Sequence, residues 1–129
     1  MKFCLSIKYY PHHENRETIE SICNALEQNR HVVKHMDRDY EKWGEIKFSP
    51  QELMEQAFKI IDSCDVLLVE ASEKGVGIGI ESGYAYAKGK PIFVIAKEGS
   101  DISGTLKGIA QKIITYTSKE DMKLKLSSL

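Results

Sequence analysis

The sequence predicts an α/β domain built on a doubly wound, five-stranded parallel sheet, in three α/β/α layers. Three observations carry that expectation. Short apolar runs alternate with stretches of helical period along the chain. Two of the runs, Val66–Val69 and Pro91–Ala96, are apolar throughout, as strands covered on both faces are. The length of 129 residues, 42% of them apolar, suits one domain, residues 1–129, large enough to bury a core.

Taken in order, Lys2–Ile7 is a short β-like run and the expected first strand. A polar loop, residues 8–14, follows it. From Glu17 onward, Ile19, Ile22, Cys23 and Leu26 recur at i, i+3, i+4 and i+7, one face of a helix. His31–His35 is expected as the second strand. Residues 37–48 show no period and are expected as an irregular connection. Long loops of this kind often carry function, and Tyr40, Trp43 and Phe48 could either stack on a ligand or pack onto the sheet.

Ser49-Pro50-Gln51-Glu52 starts a helix strongly. The serine can cap, proline suits the first helical position, and the glutamate completes a capping box. Leu53, Met54, Ala57, Ile61 and Cys64 continue its apolar stripe. Val66–Val69 is the third strand. Gly75, Gly77 and Gly79 then lead into a helix that runs to Lys88, closed by Gly89 and stopped by Pro91. Pro91–Ala96 is the fourth strand, residues 105–110 a short helix, and Lys112–Thr117 the fifth strand. Ser118 can cap a last, charged amphipathic helix.

A formal net charge of −1 leaves no basic field to attract a nucleic-acid polymer. No apolar stretch reaches the roughly 20 residues of a membrane span. The N-terminal apolar run is too short for a signal peptide, so a cytoplasmic protein is expected. Cys4, Cys23 and Cys64 form no Cys-x-x-Cys pair and fall within or beside apolar patterns, so they are expected as buried free thiols. His12-His13 has no further ligand at metal spacing. No metal and no organic cofactor is expected.

The chemistry concentrates at Glu81. It follows a buried strand and three alternate glycines, and is expected in the first turn of the helix, at the carboxyl edge where open α/β sheets bind ligands. There the helix dipole would favour the ionised carboxylate. A dinucleotide fingerprint fits poorly, because the glycines follow the third strand and not the first. No Gly-Lys-Ser/Thr follows them, which excludes a Walker loop.

The stretch Gly77-Ile-Gly-Ile-Glu81-Ser-Gly83-Tyr-Ala85-Tyr-Ala87-Lys-Gly89-Lys90-Pro91 resembles the nucleoside 2-deoxyribosyltransferase superfamily. Phe3-Cys-Leu-Ser6-Ile7 and Ile102-Ser103-Gly-Thr-Leu-Lys-Gly108 resemble its branch of (2'-deoxy)nucleoside 5'-monophosphate N-glycosidases. The resemblance implies a flavodoxin-like fold and a homodimer acting on a small nucleotide or nucleoside. Glu81 would attack the anomeric carbon. Ser6, Ile7, Lys8, Ser72, Gly75, Gly77 and Gly79 would bind substrate, and Ser103 would reach the phosphate in the partner subunit's site. Hydrolysis to a base and a sugar 5-phosphate is the implied activity. Transfer of deoxyribose between bases and non-catalytic nucleotide sensing are the alternatives. Three positions depart from the family pattern: Ala57 stands where an aspartate is usual, Gly75 where the branch often has serine, and Lys2 near an expected tyrosine. Tyr84 and Tyr86 are expected in core or dimer contacts.

Overall fold

The computed structural model describes residues 1–129. Strands β1 (Lys2–Ile7), β2 (Val32–Lys34), β3 (Val66–Glu70), β4 (Ile92–Lys97) and β5 (Lys112–Tyr116) form the sheet. Helices α1 (Arg16–Gln28), α2 (Pro50–Ser63), α3 (Val76–Ala87), α4 (Gly104–Ile109) and α5 (Lys119–Leu126) alternate with them. The order is β2-β1-β3-β4-β5 and every pair is parallel. This is the flavodoxin-like arrangement, whose direction of winding switches between β1 and β3.

Strand alternation divides the core into two layers. Phe3, Leu5, Val66, Leu68, Phe93 and Ile95 face α1 and α5, where they meet Ile19, Ile22, Leu26, Met122 and Leu126. Cys4, Leu67, Val69, Ile92, Val94 and Ala96 face α2, α3 and α4, against Ile60, Ile61, Ile78, Ala85 and Leu106. Leu68 and Val69 have no accessible surface, so both faces of the central strand are sealed. Only its carboxyl end is left to carry polar groups. All three cysteines are buried free thiols.

The helix signals fold as their chemistry requires. Ser49 Oγ accepts from Glu52 N–H while Glu52 Oε1 accepts from Ser49 N–H, completing the capping box. Gly89 follows α3 in the left-handed region at φ 74°, and Ser118 Oγ caps α5 through Asp121 N–H. Met122 and Leu126 give α5 its buried face.

Two expectations are corrected. The segment after β2 does not begin irregularly: Met36–Tyr40 form a π-helical turn. Beyond it, Trp43 packs edge-on to His13 at 5.6 Å and lies under the Arg16 guanidinium at 4.5 Å, so its ring is already occupied. The second correction concerns the glycine segment. α3 starts at Val76, which puts Gly77 and Gly79 inside the helix and Glu81 in its second turn. None of the three glycines has positive φ; Gly75 is an extended N-cap at −155°. No helix is long and apolar enough to cross a membrane.

Candidate active site

The carboxyl ends of β1 and β2, the start of α3 and one face of α2 enclose a cavity of about 340 Å³. That size falls within the range of small-molecule sites. Strand parity decides what β1 contributes. Ser6 follows Cys4 onto the α2/α3 face and turns its side chain into the cavity. Ile7 points the other way, packing on the α1/α5 cluster and leaving its backbone at the rim. Lys8 stands at the mouth, 3.4 Å from Glu73 and beside Gly75.

Glu81 reaches this cavity by leaning back along its helix. Side chains on a helix point toward its N-terminus, and Glu81 Oε2 comes within 3.6 Å of where a Cβ on Gly77 would stand. Burial pushes the Glu81 carboxyl up to about 7; nearby His35 pulls it down, and Asp37 adds to the rise. The sequence led us to expect an ionised first-turn acid. The extra turn moves Glu81 away from the helix end, and desolvation outweighs the dipole.

Ser6 is buried, and its Oγ has no hydrogen-bond partner. Such a hydroxyl is costly unless something in the cavity satisfies it. Gly75 caps α3 without a side chain, so the first N–H groups of a 12-residue helix open onto the same space. An anion would find Ser6, Lys8 and these N–H groups together.

His35, Asp37 and Glu41 also line the cavity, and sequence reasoning did not single them out. His35 and Asp37 are buried. The carboxyl-edge rule, applied to β2 as it was to β3, would have found them, since they stand immediately beyond that strand. Burial, then the charge of Asp37, raises the Glu41 carboxyl. The α2 wall is apolar, made of Leu53, Met54, Ala57 and Ile60. Glu55 faces solvent and accepts from Gln51, so it does not replace the acid missing at Ala57. Cys4 lies at the floor, where a hydrogen bond with Cys64 and then burial hold its thiol protonated. No three His, Cys, Asp or Glu side chains converge as a metal-ligand set.

Two predicted contacts, Ser72 and Gly79, fall elsewhere, and Ser103, expected to serve the partner subunit's site, lies outside its own chain's cavity. Ser72 is held away by its own partners: its Oγ donates to Glu70 Oε2 at 3.0 Å and accepts from Lys97 N–H at 2.9 Å. Glu70 in turn accepts from Tyr116 Oη at 2.7 Å, a structural network on the opposite face of β3. Gly79 and Ser103 line a separate groove of about 470 Å³ between α3 and α4. Tyr84 packs on Phe58 at 4.2 Å and donates to Asp62, whereas Tyr86 is exposed. A larger hollow of about 710 Å³ lies between α1 and α5, but it is open and polar and contains none of the residues named for catalysis.

Glu81 makes the site costly to keep. Its folded value near 7 exceeds the unfolded 4.5, so the folded state holds the proton more tightly. The resulting stability is present below pH 4.5 and is lost as pH rises through 7. Glu81→Gln, which carries no charge to desolvate, should therefore be more stable than the parent at pH 8 by roughly 2–3 kcal/mol, with a much smaller difference at pH 5. Urea unfolding of both proteins at the two pH values checks this; equal stability at pH 8 would show that the carboxylate is not desolvated.

Comparison with known proteins agrees with this architecture. Residues 3–126 match the nucleoside 2-deoxyribosyltransferase family. A Thermofilum pendens protein named "Putative 2'-deoxynucleoside 5'-phosphate N-hydrolase 1" is 27% identical over 118 residues, covering 86% of this chain and 82% of its own. Among solved structures, the CMP N-glycosidase BcmB of Clostridium botulinum superposes with a TM-score of 0.75 at 20% identity, covering 99% of this chain and 98% of its own. The 2-deoxyribosyltransferase of Bacillus psychrosaccharolyticus gives 0.73 at 15% identity, covering 98% and 96%. With its sheet order, its glycine-led helix and a match that runs over nearly the whole chain, the protein belongs to the nucleoside 2-deoxyribosyltransferase family.

Proposed function

We propose that the protein hydrolyses the N-glycosidic bond of a (deoxy)nucleoside 5'-monophosphate, releasing a free base and a sugar 5-phosphate. The observation that carries this reading is one cavity holding both Glu81 and an anion-ready end formed by Ser6, Lys8 and the start of α3. The dianionic phosphate would bind at that end, away from Asp37 and Glu41. The base would then lie toward the β2 side, with the anomeric carbon between them. Ionised Glu81 attacks that carbon as the bond to the base breaks, and water hydrolyses the glycosyl ester. The relative named as a 2'-deoxynucleoside 5'-phosphate N-hydrolase and the CMP N-glycosidase neighbour support hydrolysis.

One observation favours a second reading, a nucleotide-binding module without activity: the α2 wall offers no acid at Ala57. Chromatography of free base after incubation with a panel of nucleosides and their 5'-monophosphates decides between the two. Hydrolysis predicts release from monophosphates and a fall on the order of 10⁴-fold or more in Glu81→Ala. Binding of nucleotides with no release from any of them would sink the enzyme reading. Release in proportion to an added acceptor base would identify deoxyribosyl transfer.

The pH profile follows from the burial of Glu81. The nucleophile must be ionised, so kcat/KM should rise about tenfold per pH unit below pH 7. A limb already complete at pH 5 would contradict a buried nucleophile.

We further infer a cytoplasmic homodimer. Val76 and Ile80 on α3 are 82% and 47% exposed, an apolar surface suited to a second copy. Ser103 does not line its own chain's cavity, which fits service to a neighbouring subunit. Three free thiols suit a reducing compartment. Sedimentation should give a dimer. Ser103→Ala should raise KM for a monophosphate about tenfold, the scale of a hydrogen bond to a charged group, and leave nucleoside cleavage unchanged. Equal effects on both substrates would remove Ser103 from phosphate binding.

A further inference from the structure

Cleaving a nucleotide's N-glycosidic bond needs a proton for the departing base, and in this cavity α2 cannot supply one. Leu53, Met54, Ala57 and Ile60 present no polar side-chain atom, and Glu55 points into solvent. The acidic and imidazole groups come instead from the segment leaving β2, as His35, Asp37 and Glu41.

His35 is anchored in a defined protonation geometry. Its Nδ1 lies 2.9 Å from the carbonyl oxygen of Leu5, and a carbonyl can only accept. Nδ1 therefore carries a hydrogen, and Nε2 is the nitrogen that gains and loses the exchangeable proton. Nε2 is buried and has no hydrogen-bond partner, although the residue lines the cavity. Asp37 Oδ2 stands 3.8 Å from it, too far for a hydrogen bond but close enough to stabilise an imidazolium. The other titratable groups around this cavity are Glu41, Glu81, Cys4, Tyr9 and Lys8. A buried, unpartnered ring nitrogen backed by a carboxylate, on a residue that lines a ligand-sized space, is placed for proton transfer.

We propose that His35 is the general acid that protonates the leaving base, with Asp37 as the positioning residue that supports its charged form. The assignment rests on the hydrolase reading and gives that reaction its missing proton. In the first step Glu81 forms a bond to the anomeric carbon. The bond from that carbon to the base nitrogen breaks, its electron pair stays on the base, and the proton on His35 Nε2 moves to the base. In the second step neutral Nε2 takes a proton from water as the water oxygen attacks the anomeric carbon. The ester bond to Glu81 breaks, restoring both side chains. Nucleotide plus water gives base plus sugar phosphate, with no proton unaccounted for.

The test compares leaving groups. The natural substrate needs protonation of its base, whereas a 4-nitrophenyl glycoside of ribose 5-phosphate expels a stable anion and does not. His35→Asn keeps an amide N–H close to the Nδ1 position for Leu5 while deleting the Nε2 proton. Its kcat/KM should fall on the order of 10²–10⁴-fold for the monophosphate and only a few-fold for the nitrophenyl compound. Asp37→Asn, which leaves the ring anchored, should show the same asymmetry on a smaller scale. An equal loss on both substrates, or no loss on the monophosphate, overturns the assignment while leaving hydrolysis in place. A parent protein that cleaves neither compound nor any other monophosphate overturns both.

Discussion

A strand sealed on both faces can present polar groups only where it ends, and alternation then decides which of them reach a given side. β1 and β3 impose this constraint here. Cys4 belongs to the α2/α3 layer, so Ser6 does too, and its hydroxyl opens into the cavity. Val69 takes the same side at the end of β3, which sends Glu70 to the other. Both are polar residues at the carboxyl edge; one joins the site and the other joins Tyr116 and Ser72 in a closed network. A one-residue slip of either strand would exchange those roles.

The same economy of space shapes Glu81. A carboxylate exposed to water would be ionised easily but well solvated, and a poorer partner for a developing positive charge. Placed above Gly77 and walled by the β1 and β2 ends, it loses solvent and becomes harder to ionise. The fold accepts lower stability above neutral pH in return for a less solvated carboxylate. His35 offsets part of that cost, so a residue that favours the charged form of Glu81 also lines the space a substrate would occupy.

Much of this was legible in the chain because it rests on local rules. Apolar runs, helical periodicity and end signals together located all five strands and five helices, and Ser49, Gly89 and Ser118 marked helix ends by backbone chemistry that acts within a few residues. The position of Glu81 was legible to within a turn. Its electrostatics were not, because desolvation depends on what β2 and α2 bring from distant parts of the chain. Ser72 was misplaced for a related reason: its sequence proximity to Gly75 says nothing about Glu70 and Lys97 claiming its hydroxyl. Asp37 was hidden by a segment without period, since a π-helical turn has neither the 3.6 nor the 2.0 repeat that a pattern search detects, and His35 was passed over as the last residue of an expected strand.

That hidden segment bears on the departure at Ala57. An acid on α2 would approach the cavity from a helix face, whereas His35 and Asp37 approach from the end of β2. The apolar side chains of α2 then acquire a positive use: they present a flat, dry surface against which a base can lie. A polar group returned to position 57 would face a base already engaged from the end of β2, and would have to be hydrogen-bonded there or carry its own desolvation cost. The loss of the helix acid and the presence of a buried His–Asp pair therefore make physical sense together, as two parts of one rearranged site.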